Sequence, residues 1–169
     1  PTSGEVSVLG AKISELGNRQ RDRFRAKNIG VVFQQFNLIP YLSVLDNVLL
    51  AAQFGESTSS SLLARAHELL QRVNLTNDLF DRRSSELSIG QQQRVAIVRA
   101  LINSPELLLV DEPTSALDHS NRDAFIGLLL EVLEELGCAL LFVSHDPSIG
   151  ERFKNRLILN ELNRVGGGT

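Results

Sequence analysis

Two adjacent carboxylates, Asp111 and Glu112, directly follow a short apolar run at Leu107 to Val110 that is bounded by prolines. An uninterrupted apolar run of this length is typical of a strand buried on both faces of a parallel sheet. Ligands of open α/β sheets bind at the carboxyl ends of such strands. Because adjacent side chains there point in different directions, one carboxylate could reach a metal ion while the other polarises a water molecule. A strand followed by a solvated acidic turn is the alternative interpretation.

Two further segments bring other reactive groups toward the same place. A second apolar run, Cys138 to Val143, predicts another buried strand that delivers His145 to the sheet edge of Asp111. Ser88 precedes a helical pattern and can cap it, with Gly90 in the first turn. Since backbone N–H groups and the helix dipole converge at such a start, this segment predicts an anion site. Phosphate, metal and water chemistry are therefore all indicated.

Composition sets broad limits on these hypotheses. The 169 residues suffice for one domain, and 43% hydrophobic with 22% charged residues is ordinary for a globular protein. A net charge of -3 gives no general case for nucleic acid or an anionic membrane as partner. The single Cys138 cannot form an internal disulfide, so we expect a reducing cytoplasm. No apolar segment approaches the roughly 18 residues of a membrane span, and no signal peptide is visible.

The remaining periodicities predict the elements that position these groups. Helices are expected from about Ser43 to Phe54, across the stripe from Leu62 to Val73, and from Asp118 to Leu136. Further short strands are expected at the following segments: Glu5 to Leu9, Ile29 to Phe33 and Arg156 to Leu159. The basic residues between 12 and 27 favour a solvated helix over a nucleic-acid or lipid-headgroup patch, because acidic residues interrupt them.

Four ordered motifs together resemble the ATP-binding-cassette (ABC) ATPases. They are Phe33-Gln34, the segment Leu-Ser-Ile-Gly-Gln-Gln-Gln-Arg at 87–94, the segment from Leu107 to Asp118, and Val-Ser-His-Asp at 143–146. Residues 36–48 resemble the lipoprotein-releasing and macrolide-exporting group. The resemblance implies an incomplete P-loop NTPase (RecA-like) core, formed by residues 1–39 and 99–169, with a helical subdomain inserted at 40–98.

The resemblance also implies a role for each matching residue. Glu112, His145 and Gln34 would be catalytic, and Asp111 with Gln34 would hold Mg²⁺. ATP would be bound by residues of the signature segment and of the loop after the paired acids, namely Ser88, Gly90, Gln91 and Asp118. Ile89 stands where the family most often has glycine, a mild departure at a variable position.

One motif of the family is absent from the sequence. No Gly-Lys-Ser or Gly-Lys-Thr occurs in the 169 residues, so no phosphate-binding loop (Walker A) of the form G-x-x-x-x-G-K-[ST] is present. The resemblance therefore implies an N-terminally truncated ATPase with a slot or an exposed edge in its sheet, beside the strand that ends at Val143. We expect this chain alone to bind nucleotide poorly and to turn over almost none.

Three functions remain open at this point. The favoured one is the ATP-hydrolysing subunit of a membrane transporter, peripheral on the cytoplasmic face, which acts as a head-to-tail dimer with membrane subunits and without nucleic acid. The second is a soluble ABC-type ATPase acting on DNA or ribosomes. The third is a non-catalytic, truncated regulatory module, which the missing lysine loop favours and the intact Gln34, Glu112 and His145 weaken.

Overall fold

The computed structural model describes residues 4–55, 59–113 and 119–162 as an α/β arrangement of short strands and helices. The strands are β1 (Ser7–Val8), β2 (Ala11–Lys12), β3 (Ile29–Val32), β4 (Leu107–Asp111) and β5 (Ala139–Val143). The helices are α1 (Asn18–Asn28), α2 (Val44–Ala52), α3 (Ser59–Arg72), α4 (Ile89–Leu101), α5 (His119–Leu136), α6 (Pro147–Gly150) and α7 (Leu159–Leu162). Single 3-10 turns lie at Ile13–Glu15, Asn77–Leu79 and Ser84–Glu86.

A parallel sheet with the order β3-β4-β5 positions the paired acids. The central strand β4 pairs Val110 with Val32 on one side and with Phe142 on the other. Leu108 and Val110 are completely buried. Leu107 and Leu109, on the other face of the strand, are half-buried, so the predicted burial on both faces is complete on one face and partial on the other. Because all three strands run in the same direction, their carboxyl ends form one edge.

The predicted helices α2, α3 and α4 pack together beside this sheet. Ser43 caps α2, because its hydroxyl accepts a hydrogen bond of 3.0 Å from the Asp46 N–H, as the sequence predicts. α4 contacts both α2 and β3, so it lies between the helical unit and the sheet. The residues of its buried face are Val95, Ala96, Ile97, Val98 and Leu101. In α1, by contrast, no residue is buried, which confirms the prediction of a solvated basic helix.

Two strand predictions are wrong in part or in full. β5 alternates between exposed and half-buried residues, with Leu141 50% and Val143 44% exposed, and so is not a buried strand. Among the described residues only β4 pairs with it. The predicted strand from Arg156 to Leu159 does not form, because none of the strands in the described ranges lies beside it to pair with its backbone. Residues 159–162 instead form α7.

The other differences are small. The first predicted strand shortens to β1, which forms a hairpin with β2 through Leu9 and Gly10, both with positive φ. Cys138 is partly buried against the core, and burial raises the pKa of its thiol, as expected for a small core residue. Within the described ranges, no helix is both long and apolar enough to cross a membrane.

Candidate active site

The paired acids lie where β4 ends and the chain turns sharply. Asp111 is the exposed last residue of β4, and Glu112 adopts a positive φ of 48°. A residue other than glycine in this region costs about 1–3 kcal/mol and persists only where its surroundings hold it. The Glu112 N–H donates to the carbonyl of Val143 on β5 at 3.0 Å, which ties this turn to the neighbouring strand. The two acids therefore have different backbone conformations, extended at Asp111 and left-handed at Glu112.

His145 contacts one of these acids directly. Its Nδ1 lies 2.5 Å from Oε2 of Glu112, although the imidazole is 75% exposed and the glutamate side chain 23% exposed. The hydrogen bond to Glu112 raises the pKa of His145 above its ordinary value, and the charges of Glu112 and Asp146 act in the same direction. The structure thus brings Glu112 and His145 together at the carboxyl edge shared by β4 and β5.

Gln93 is a contributor to this turn that sequence reasoning missed. It is only 2% exposed on α4, and its Nε2 donates to the carbonyl of Pro113 at 2.7 Å. The residue immediately after Glu112 is therefore anchored to α4. Gln93 lies in a run of three glutamines, and the only signal that it is buried is its place four residues before the apolar Ile97 on the same helix face.

α4 also holds the segment that follows Gln34. Gln34 is exposed two residues beyond β3, so the parallel sheet places it at the same edge as the acids. The guanidinium of Arg99 donates to the carbonyls of Phe36 and Asn37 at 2.5 Å each. Both accepting residues have positive φ, and burial lowers the pKa of Arg99. Arg99, too, was not singled out from the sequence.

The start of α4 is capped as its sequence predicts. The Ser88 hydroxyl accepts from the Gln91 N–H at 3.3 Å, and Oε1 of Gln91 accepts from the Ser88 N–H at 2.9 Å. A Cβ placed on Gly90 would meet nothing within 4 Å, so packing within the chain does not require glycine there. Ser88 and Gln91 thus bond to each other rather than to the Glu112–His145 pair. Asp118, also predicted to bind nucleotide, lies outside the described residues.

The sequence predicts Mg²⁺ at this edge of the sheet. Among the described residues there is no group of three or more His, Cys, Asp or Glu that could hold a metal ion. Mg²⁺ characteristically keeps several waters and is bound through one or two carboxylates together with substrate phosphates. The exposed carboxylate of Asp111 fits that mode, in which the ion arrives with the nucleotide.

The family is shown by comparison with known proteins. The sequence model of the ABC transporter family matches residues 1–115. The chain belongs to this family. It is 41% identical over 162 residues to the lipoprotein-releasing system ATP-binding protein LolD 1 of Caulobacter vibrioides, which covers 95% of this chain and 69% of that protein. It is 39% identical over 174 residues to the macrolide export ATP-binding/permease protein MacB of Syntrophobacter fumaroxidans, covering 98% of this chain but 24% of that protein.

Solved structures confirm the fold class. The dimeric post-hydrolysis state of the ATP-binding cassette MJ0796, bound to ADP and Pi, is 40% identical and superposes with a TM-score of 0.74 over 88% of this chain and 66% of that one. CbiO1 from Clostridium perfringens, part of the cbiONQ transporter complex, is 30% identical with a TM-score of 0.76, covering 86% of this chain and 57% of that one. The chain therefore spans about two thirds of the solved cassette MJ0796 and has the P-loop NTPase fold of these cassettes.

Proposed function

We propose that this chain forms part of an ATP-hydrolysing subunit that powers a membrane transporter. The proposal is carried by one observation, the contact of His145 with Glu112 at the sheet edge where Asp111 ends β4. Its relatives LolD and MacB are named as ATP-binding components of a lipoprotein-releasing system and of macrolide export. The geometry and the kinship thus support the same chemistry, although the kinship alone assigns no residue.

In this proposal Glu112 acts as the general base. A water molecule held by its carboxylate attacks the γ-phosphorus of ATP, the bond to the β–γ bridging oxygen breaks, and the water proton passes to Glu112. Such a base contributes about 10²–10⁴ to the rate. His145 carries a raised pKa, which increases its cationic fraction near neutral pH and suits it to contact the γ-phosphate. Gln34 would orient the water from the end of β3.

Asp111 and Gln34 would hold the metal ion that accompanies the nucleotide. When bound, Mg²⁺ neutralises charge on the phosphate oxygens. Asp111 suits this role because its carboxylate is exposed and lies one residue from the proposed base. The proposed metal ligand and the proposed base are consecutive residues, Asp111 and Glu112. Because the chain turns at Glu112, one carboxylate can bind the metal ion while the other activates water.

A second copy would complete the site from its signature segment. The N–H groups behind Ser88, the open space over Gly90 and the side chain of Gln91 would cap the γ-phosphate of the nucleotide held by the other subunit, with Asp118 near the seam. Among the described residues no atom lies close enough to require glycine at position 90, so close approach of an external group is a sufficient reason for it. ATP would in this way drive head-to-tail dimerisation.

The helical unit offers a surface for membrane subunits. We assign the inserted subdomain to residues 40–98 and the ATPase core to 1–39 and 99–169. Tyr41 and Phe54 are each 72% exposed, and a cavity of about 350 Å³ lies between α1, β3, α2 and α4. Exposed aromatic groups beside a cavity suit a protein partner. The subunit would then lie on the cytoplasmic face of the membrane, and nucleic acid would not be a partner.

The test uses the 169-residue chain beside a chimera. The chimera adds the N-terminal segment of a cassette relative, including its phosphate-binding loop, ahead of Pro1. The chain itself should bind Mg-ATP poorly and hydrolyse almost none, because it contains no loop lysine or hydroxyl for the phosphates. The chimera should hydrolyse ATP, and Glu112→Gln should lower its kcat by about 10²–10⁴.

Three results would contradict parts of this proposal. Micromolar affinity of the isolated chain for Mg-ATP would overturn its predicted inactivity. A folded chimera that binds ATP without hydrolysing it would favour a non-catalytic module. Turnover that is stimulated by DNA or ribosomes, rather than by a co-purifying membrane protein, would favour the soluble class of ABC ATPase.

A further inference from the structure

Arg122 on α5 is an arginine that the proposed chemistry does not use. Its side chain is only 13% exposed, and its Nη1 pairs with Oδ2 of Asp146. Its Nε is buried without a hydrogen-bond partner and lies 3.6 Å from the carboxylate of Asp123. An arginine at this depth is ordinarily retained for its pairing, because desolvation of the guanidinium is costly otherwise. Its partner in this pair, Asp146, directly follows His145 in the sequence.

The two carboxylate oxygens of Asp146 have different partners. Oδ1 accepts from the N–H and the hydroxyl of Ser148 at 2.9 and 2.7 Å, which caps α6, while Oδ2 faces Arg122. The Asp146 N–H donates to the hydroxyl of Ser144 at 3.1 Å. The chain on both sides of His145 is therefore fixed through Asp146, and Arg122 anchors Asp146 to the body of α5.

The imidazole of His145 itself has little packing to hold it. It is 75% exposed, and its ring nitrogen contacts the carboxylate of Glu112 on the far side of the turn. Since surface contacts of this kind impose weak restraint, its placement must come from the backbone of residues 144–148. Arg122 joins this segment to the long helix α5 through Asp146.

We infer that Arg122 is a positioning residue, which holds Asp146 so that the neighbouring His145 stays in contact with Glu112. The catalytic meaning of this contact rests on the proposed ATPase function, whereas the contact itself belongs to the isolated chain. Neither the motif pattern nor the periodicity of α5 singles out this arginine, because its partner lies 24 residues away in the sequence.

The experiment is an NMR titration of His145 in the 169-residue chain and in Arg122→Gln. Two explanations predict opposite signs. If Arg122 acts only as a charge, its removal takes a positive charge away from Asp146, and the charge of Asp146 then raises the pKa of His145 further. If Arg122 positions the segment, the hydrogen bond to Glu112 is loosened and the pKa falls toward its ordinary 6.5. We expect the fall.

Arg152→Gln is the matched control. Arg152 is a second arginine beside α5 and pairs with Asp123 at 2.9 Å, so Arg152→Gln removes a charge from the same surface while the Arg122–Asp146 pair stays in place, and it should leave the titration of His145 unchanged. Arg122→Lys keeps the charge and should restore part of the pKa lost in Arg122→Gln. Unchanged far-UV circular dichroism and a cooperative thermal transition would show that each variant is folded.

A rise or no change of the His145 pKa in folded Arg122→Gln would overturn the inference. If Arg122→Gln does not fold, the titration of His145 in Arg122→Lys tests the inference instead. Lysine cannot reproduce the guanidinium contact with Asp146, so the pKa of His145 should still be lower than in the parent chain. In the chimera, Arg122→Gln should lower kcat with little change in KM. If the titration shows the fall but the chimera has no ATPase activity, the proposed function fails while the positioning contact stands.

Discussion

The two sides of the sheet's carboxyl edge are held in different ways. On the side of α4, Ile97 and Leu101 are completely buried, and Gln93 and Arg99 reach from the same helix to Pro113 and to the segment after Gln34. On the side of β5, every second residue is exposed and the outer edge lacks a strand partner among the described residues. There the proposed catalytic histidine depends on Glu112 and on the Arg122–Asp146 pair.

This contrast indicates that one helix organises most of the candidate site. α4 carries the Ser88 cap, proposed to bind phosphate, at its start, anchors the turn after Glu112 from its middle, and holds the Gln34 segment near its end. Its buried face makes these polar contacts rigid, because close-packed interiors tolerate little displacement. The β5 side supplies His145 without comparable packing, so the two regions should respond differently to the same kind of change.

The largest expected difference lies between two truncations of leucine. Leu101→Ala removes a completely buried side chain of α4 and should lower the free energy of unfolding by about 2–5 kcal/mol. Leu141→Ala alters a β5 side chain that is 50% exposed and should stay within about 0.5 kcal/mol. Urea unfolding of both variants checks this, with the parent chain as reference. A loss at Leu141 equal to that at Leu101 would show that the β5 face is covered in solution.

Two glycines give the next contrast, in stability and in function. A Cβ at Gly30 on β3 would lie 2.4 Å from the carbonyl oxygen of Ala100 on α4, so Gly30→Ala should cost about 1–3 kcal/mol. A Cβ at Gly90 meets nothing within 4 Å, so Gly90→Ala should leave thermal unfolding unchanged or slightly raise its midpoint.

The same Gly90→Ala variant should nevertheless lose ATPase activity in the chimera. In the proposed dimer the γ-phosphate would occupy the open space over residue 90, and a methyl group there would clash with it. The measurement is kcat beside the unfolding midpoint. Full turnover in a folded Gly90→Ala chimera would remove Gly90 from the site. An undiminished midpoint in Gly30→Ala would show that α4 and β3 can separate without cost.

The sequence predicted the α4 side better than the β5 side, for a physical reason. Helix periodicity, the Ser43 and Ser88 caps and the buried run at β4 are local properties, and each was recognisable within a few residues. Whether a strand is buried or paired depends on what lies beside it. The segments Cys138 to Val143 and Arg156 to Leu159 could not show that β5 is only half-buried, or that residues 156–158 lie beside none of the described strands.

Polar contacts between residues far apart in the sequence were the second feature that the sequence did not predict. Glu112 and His145 could be assigned to one edge because each follows an apolar run whose end is recognisable in the sequence. The structure places the two side chains in contact. Gln93 and Arg122 act through partners 20 and 24 residues away, and nothing in the local pattern separates them from surface residues. Burial of a polar side chain is therefore the property that the sequence conveyed least.

The smallest expected effect concerns pH and again separates the two regions. The pKa of His145 is raised above its ordinary 6.5 by Glu112, so the folded chain binds the imidazole proton more tightly than the unfolded chain does. The resulting stabilisation is fully present below pH 6.5 and is lost as the pH rises through the higher folded-state value. Because the group is exposed, the change in the free energy of unfolding should be slight.

Urea unfolding measured from pH 6 to 8 should show this pH dependence in the parent chain. The dependence should disappear in His145→Gln and should remain in Leu101→Ala, which leaves the Glu112–His145 pair intact. A pH dependence that persists unchanged in His145→Gln would place its origin elsewhere in the molecule.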